Sequence, residues 1–142
     1  RALLVDVGVT RPLGLGASGL ALIAFLPRDQ FEKVFSANLK QYRSFPNFRP
    51  ETILDLAKKS QKRGYVVSES LFWPGVTAVS IPVFDDQGAV IAAVSVTAIS
   101  ARMNRSRQTD VAKIIQNCLR QSDFRIDGRK ASFNHKGEGG VK

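Results

Sequence analysis

The sequence predicts an α+β domain built on an antiparallel sheet, and three observations predict it. Two β-rich runs, Val76–Phe84 and residues 89–98, flank the turn residues Asp85-Asp86-Gln87-Gly88. Residues 50–63 and 109–120 carry apolar side chains at helical spacing. The elements run strand, helices, strand, hairpin, helix, an order that suits a sheet with separate helices.

Residues 2–8 read as a strand, with Val5 and Val7 β-branched and Gly8 ending it. Pro12 and several glycines follow, then residues 17–26 read as a buried helix. Pro27 opens a second helix, residues 28–39, in which Phe31, Val34 and Phe35 recur at spacings of three and four. Residues 40–49 read as a loop. In the next helix, Pro50 suits the first position, Glu51 and Asp55 lie near the positive end of the dipole, and Lys58, Lys59, Lys62 and Arg63 crowd the other end before Gly64. Tyr65 to Val67 makes a short strand. If Phe84 faces Ala89 in the hairpin, then Ala78 faces Ser95 and Val76 faces Thr97, all four on one sheet face. Pro82 demands an edge or an irregularity, since it cannot donate to the ladder. In the last helix Val111, Ile114, Ile115, Cys118 and Leu119 hold the apolar face. Residues 1–124 are the expected domain, and residues 125–142 a basic, disordered tail.

A chain of 142 residues with 44% apolar content suffices for one core. The apolar runs at residues 20–26 and 89–94 are far short of a bilayer span. With one cysteine and no signal peptide, the expected compartment is the cytoplasm. The net charge of +9 is uneven: residues 1–104 hold 12 Lys/Arg against 8 Asp/Glu, and residues 105–142 hold 9 against 4. A basic balance favours anions, yet no basic run is interleaved with aromatics as a single-strand nucleic-acid platform requires. Arg1 stands first and an apolar run follows at once, so the chain is expected to enter mid-fold.

Residues 14–19 match the G-x-G-x-x-G pattern. A dinucleotide fold also needs an acidic residue about 20 positions on, and residues 34–40 contain no Asp or Glu. What remains is a glycine turn feeding a helix start, whose free N–H groups and partial positive charge accept a carboxylate or phosphate. Ser18 adds a hydroxyl there. Ser95 and Thr97 are hydroxyls in a strand otherwise built of Val, Ile and Ala, and Val76 and Ala78 give an apolar wall opposite them. Ser68 adds one more polar group. Residues 72–75, Phe-Trp-Pro-Gly, either lid a pocket or cover the end of the core.

Catalytic arrangements are scarce. His135, the only histidine, falls in the expected tail, so no Ser-His-Asp triad has a base. Cys118 reads as packing, and no metal-ligand spacing is present. The chain is expected to be no enzyme and to carry no cofactor or metal.

These residues resemble the C-terminal domain of the isocitrate-lyase-regulator (IclR) family of bacterial transcription regulators over about Leu3 to Leu119. The resemblance rests on Val7-Gly8, Pro12-Leu13, Gly16-Ala17-Ser18-Gly19 and residues 22–27. It continues through Arg63-Gly64-Tyr65, Pro74-Gly75-Val76, Ile81-Pro82-Val83-Phe84-Asp85, residues 90–96 and Ala101-Arg102-Met103. It implies a GAF-like antiparallel sheet flanked by helices on both faces, with a pocket for a small carboxylic or aromatic acid. Matching positions put Leu3, Gly16, Ala17, Ser18, Ser68, Val76, Ala78, Ser95 and Thr97 in that pocket. It also implies a homodimer or tetramer, no membrane, and DNA bound through a winged helix-turn-helix. That reader and the first strands of the sensor domain are expected to lie outside this chain. Gly14 departs from a frequent His, Leu20 from Lys or Arg, and Ser68 from Asp or Glu. The competing expectation is a GAF-like protein-interaction module with no small ligand.

Overall fold

A computed structural model describes residues 8–45, 49–71 and 73–127. Four helices, α1 (Gly16–Ala24), α2 (Arg28–Arg43), α3 (Pro50–Arg63) and α4 (Arg105–Gln121), accompany strands β1 (Val66–Glu69), β2 (Val76–Phe84) and β3 (Val90–Ile99). The strands form an antiparallel sheet in the order β1-β2-β3. The expected strand over residues 2–8 lies, Gly8 aside, outside the described residues, as do Leu3, Phe72 and His135.

The sheet has a core on each face. On one, Leu20, Ala21, Ile23 and Ala24 of α1 pack with Phe31, Tyr42, Ile53, Ala57 and Val66. On the other, Val67, Val79, Ile81 and Val83 meet Val111, Ala112, Ile115 and Leu119 of α4. Adjacent Val66 and Val67 fall in different cores because a strand sends successive side chains to opposite faces. Helices thus flank the sheet on both sides, as expected.

The sequence-based expectations shift at several elements: α1 spans Gly16–Ala24 against the expected 17–26, and β1 Val66–Glu69 against 65–67. Helix α2 runs to Arg43 rather than ending near Leu39, because Tyr42 carries the buried stripe one turn further. Helix α4 starts at Arg105, four residues early, where the Asn104 side chain accepts the Arg107 N–H at 2.9 Å. Its apolar stripe follows Val111, Ile115 and Leu119, spaced by four, and this leaves Cys118 exposed and Ile114 at 55% exposure. Packing also continues past Phe124: the Phe84 N–H donates to the Arg125 carbonyl at 2.9 Å and Ile126 is buried.

The hairpin register differs too. Ala78 pairs with Thr97, Ser80 with Ser95 and Val76 with Ile99, two residues from the expected pairing. A register shift between Val83 and Phe84 accounts for part of the difference, since it uncouples the turn from the ladder. A slip of two leaves every side chain on its expected face. Pro82 lies beyond β1, whose pairing ends at Ser80, and beside that irregularity.

Helix α3 begins and ends as its sequence dictates, with Pro50 at the first position and Gly64 left-handed at φ 80°.

A candidate ligand pocket at the start of the first helix

The cavity lies between the N-terminus of α1 and the sheet face that α1 covers. It encloses about 240 Å³ and is lined by Arg11, Leu15, Gly16, Ala17, Ser18, Gly19, Ser68, Trp73, Val76, Ala78 and Thr97. One cross-strand row forms its floor and a second lies behind it. Ser68, Ala78 and Thr97 are register partners in one row, and Val66, Ser80 and Ser95 in the next. Antiparallel pairing puts such partners about 5 Å apart on the same face, so three strands contribute side chains to one small area.

Helix α1 forms the roof. Leu15 holds the N-cap position and caps nothing with its side chain. The first-turn N–H groups lack intrahelical acceptors by geometry, and no N-cap side chain accepts for them. The helix start reaches this position through Gly14, whose φ is 98°. The Tyr42 hydroxyl donates to the Leu13 carbonyl, and a Cβ on Gly14 would lie 2.8 Å from that hydroxyl oxygen. This explains the departure at Gly14: Tyr42 fills the space that a larger side chain would occupy. Burial pushes the Tyr42 pKa up to about 12, so the phenol stays a donor.

Three hydroxyls connect roof to floor. Ser18 Oγ lies 2.6 Å from Ser95 Oγ, and Ser95 Oγ donates to Ser80 Oγ at 2.7 Å. Ser95 therefore sits behind the pocket wall, held from both sides, instead of lining the cavity. Ser68 is buried and Thr97 exposed, and no described side chain bonds either hydroxyl. Both are open to a guest.

The cavity's charge is one-sided. Among the described residues no acidic side chain lines it, while Arg11 does, its guanidinium 4.7 Å from the centroid of the Trp73 ring. A cation over an aromatic face is held without losing its charge. Together with the positive end of α1, this makes the cavity suited to an anion.

Of the nine residues expected at a pocket, seven line this cavity: Gly16, Ala17, Ser18, Ser68, Val76, Ala78 and Thr97. Ser95 is reached through Ser18, and Leu3 lies outside the described residues. Sequence reasoning missed Arg11, Leu15 and Gly19 of the lining and Ser80 behind it, while Trp73 comes from the loop expected to lid a pocket or cover the core. Arg11 is a lone cation in a glycine-rich stretch, and only the fold brings it to Trp73. Ser80 was legible in principle as a third hydroxyl on the same strand face, but the expected register paired Ser95 elsewhere.

Among the described residues, no group of His, Cys, Asp and Glu is placed to hold a metal ion, and no helix is long and apolar enough to cross a membrane.

Comparison with known proteins gives these features a family. The chain is 26% identical over 121 residues to the HTH-type transcriptional regulator KipR of Bacillus subtilis (strain 168), an alignment covering 84% of this chain and 48% of KipR. It is 23% identical over 115 residues to the HTH-type transcriptional repressor AllR of Escherichia coli (strain K12), covering 80% and 42%. The chain thus spans about half the length of the curated relatives it matches. Its fold superposes on an IclR transcriptional regulator from Alicyclobacillus acidocaldarius with a TM-score of 0.69 at 26% identity, covering 84% of this chain and 48% of that one. On the C-terminal domain of the E. coli regulator KdgR the TM-score is 0.68 at 23% identity, covering 82% and 73%. The family described as bacterial transcriptional regulator IclR, C-terminal, matches residues 2–124. The chain belongs to the IclR family of transcriptional regulators, of which those residues are the C-terminal domain.

Proposed function

We propose that this domain is the effector sensor of its regulator. A small organic acid, carboxylic or aromatic, enters the cavity with its carboxylate between Arg11 and the start of α1. Its remaining polar groups meet Ser68 and Thr97, and its carbon skeleton rests on Val76 and Ala78. The observation that carries this reading is the composition of the cavity. One cation, an uncapped helix start and two unengaged hydroxyls converge on about 240 Å³, with no acidic residue among the described lining. Ligand pockets pair an apolar lining with a few convergent polar groups in this way, and the volume suits a small guest.

The regulator so read is no enzyme. It acts in the cytoplasm and meets DNA through a helix-turn-helix outside this chain, as the names of KipR and AllR suggest by analogy. The acid shifts an oligomer between states of different DNA affinity, which requires it to bind those states unequally, by about 1–3 kcal/mol. The oligomer is read as a homodimer or tetramer; β3 is an edge of the described sheet, and Ile91, Val94, Val96 and Ile99 are between 39% and 57% exposed along it, on both of its faces.

A thermal-shift screen against small carboxylic acids tests the reading. At about one hundred times Kd a bound ligand adds roughly 2.7 kcal/mol, a rise of several degrees for a domain of this size. A saturable rise that shrinks in Thr97→Val supports the sensor. If no acid raises the melting temperature while a protein partner binds saturably, the domain is an interaction module instead.

A further inference from the structure

The geometry points to Ser80, a buried residue outside the cavity, as the group that sets the hydrogen-bond sense of the pocket, and hence to a ligand that presents a hydroxyl donor to Ser18. The inference rests on the acid-binding reading above and narrows its ligand class to hydroxy acids.

A serine hydroxyl has one proton and two lone pairs. The 2.7 Å contact between Ser95 and Ser80 has the geometry of a bond donated by Ser95, so the Ser95 proton is committed inward. Ser18 Oγ, at 2.6 Å from Ser95 Oγ, then makes its bond by donating. With its proton turned to Ser95, Ser18 shows the cavity only lone pairs. A guest hydroxyl can donate to them. A ketone or ether oxygen at that place brings lone pairs against lone pairs. Ser80 imposes this sense from outside the site: it is 0% exposed, and cross-strand pairing fixes it opposite Ser95.

The carboxylate is assigned to Arg11 and the helix start, as above. The hydroxyl beside it falls to Ser18, in the first turn of the same helix.

Titration calorimetry with matched acids on the whole chain tests this. The probes are lactate against pyruvate, 2-hydroxybutyrate against 2-oxobutyrate, and mandelate against phenylglyoxylate, with both enantiomers of each hydroxy acid. Exchanging one hydrogen bond for a lone-pair clash is roughly a tenfold effect, so the better hydroxy enantiomer of a binding pair should exceed its oxo partner by about that factor. In Ser80→Ala the Ser95 proton is free to turn to Ser18, releasing the Ser18 proton toward the cavity. The preference should then fall to about twofold or less, with the melting transition retained. Ser18→Ala should lose the preference as well, which guards against a folding defect in the core variant. Oxo acids binding as tightly as hydroxy acids, or an unchanged ratio in a folded Ser80→Ala, would overturn the assignment and leave the acid pocket standing. If no member of any pair binds, the acid-binding reading fails and this one with it.

Discussion

The guanidinium of Arg11 lies 4.7 Å from the centroid of the Trp73 ring, although 62 positions separate the two residues (73 less 11). The stack stations a cation at the rim of a cavity whose described lining has no acidic side chain. Arg11→Gln should therefore weaken binding of a carboxylate ligand roughly tenfold, as loss of one charge-assisted contact does. Arg11 is exposed, so stability should change by no more than about 0.5 kcal/mol. Calorimetric affinities for both proteins check this, and equal Kd values would remove Arg11 from the site.

Thr97 and Ser95 are two residues apart on one face of β3, yet their substitutions should behave differently. Thr97→Val removes a hydroxyl that no described side chain engages, so affinity should fall roughly 10- to 100-fold while the melting curve stays in place. Ser95→Ala removes the donor to Ser80, a fully buried hydroxyl, and should cost about 1–3 kcal/mol of stability besides. Urea titration separates the two, and equal stability of both variants would contradict the serine chain.

Gly14 and Gly64 both have positive φ, at 98° and 80°, but only Gly14 is crowded. Gly64→Ala meets nothing within 4 Å and should cost about 1 kcal/mol from backbone strain alone. Gly14→Ala adds a Cβ 2.8 Å from the Tyr42 hydroxyl oxygen and 3.0 Å from Ile23 Cδ1, and should cost about 3 kcal/mol or more. Equal losses in denaturant titrations would refute the account of Gly14.

Burial raises the Tyr42 pKa from 10.0 to about 12. The folded protein then keeps a proton that the unfolded chain releases. Stability from this group is complete below about pH 10 and declines as pH climbs toward 12, by up to about 3 kcal/mol in all. The slope of stability against pH over that range should be flatter in Tyr42→Phe. Parallel slopes would place the sensitivity elsewhere.

Much of this was legible in the sequence, for reasons that differ by element. Helix α3 carries its own punctuation in Pro50 and Gly64. The pocket face of the hairpin was legible because strand periodicity depends on parity, and a two-residue error in register preserves parity. The irregularity at Val83 and Phe84 has no sequence signature, so the register itself was not. The first turn of α4 was hidden because residues 105–108 are all polar. Gln108 is nonetheless buried, its amide donating at 2.5 Å to Glu69 and 3.0 Å to the Met103 carbonyl. Pairs such as Arg11 with Trp73, or Ser18 with Ser95, depend on how α1 lies across the sheet, which no local pattern encodes.

The most direct test of the pocket is an amide NMR titration of the labelled chain with the acid that gives the largest thermal shift. Saturable shifts centred on Gly16, Ala17, Ser18, Ser68 and Thr97 are the predicted result. Shifts confined to α4 and the far face of the sheet, with those amides unmoved, would contradict it.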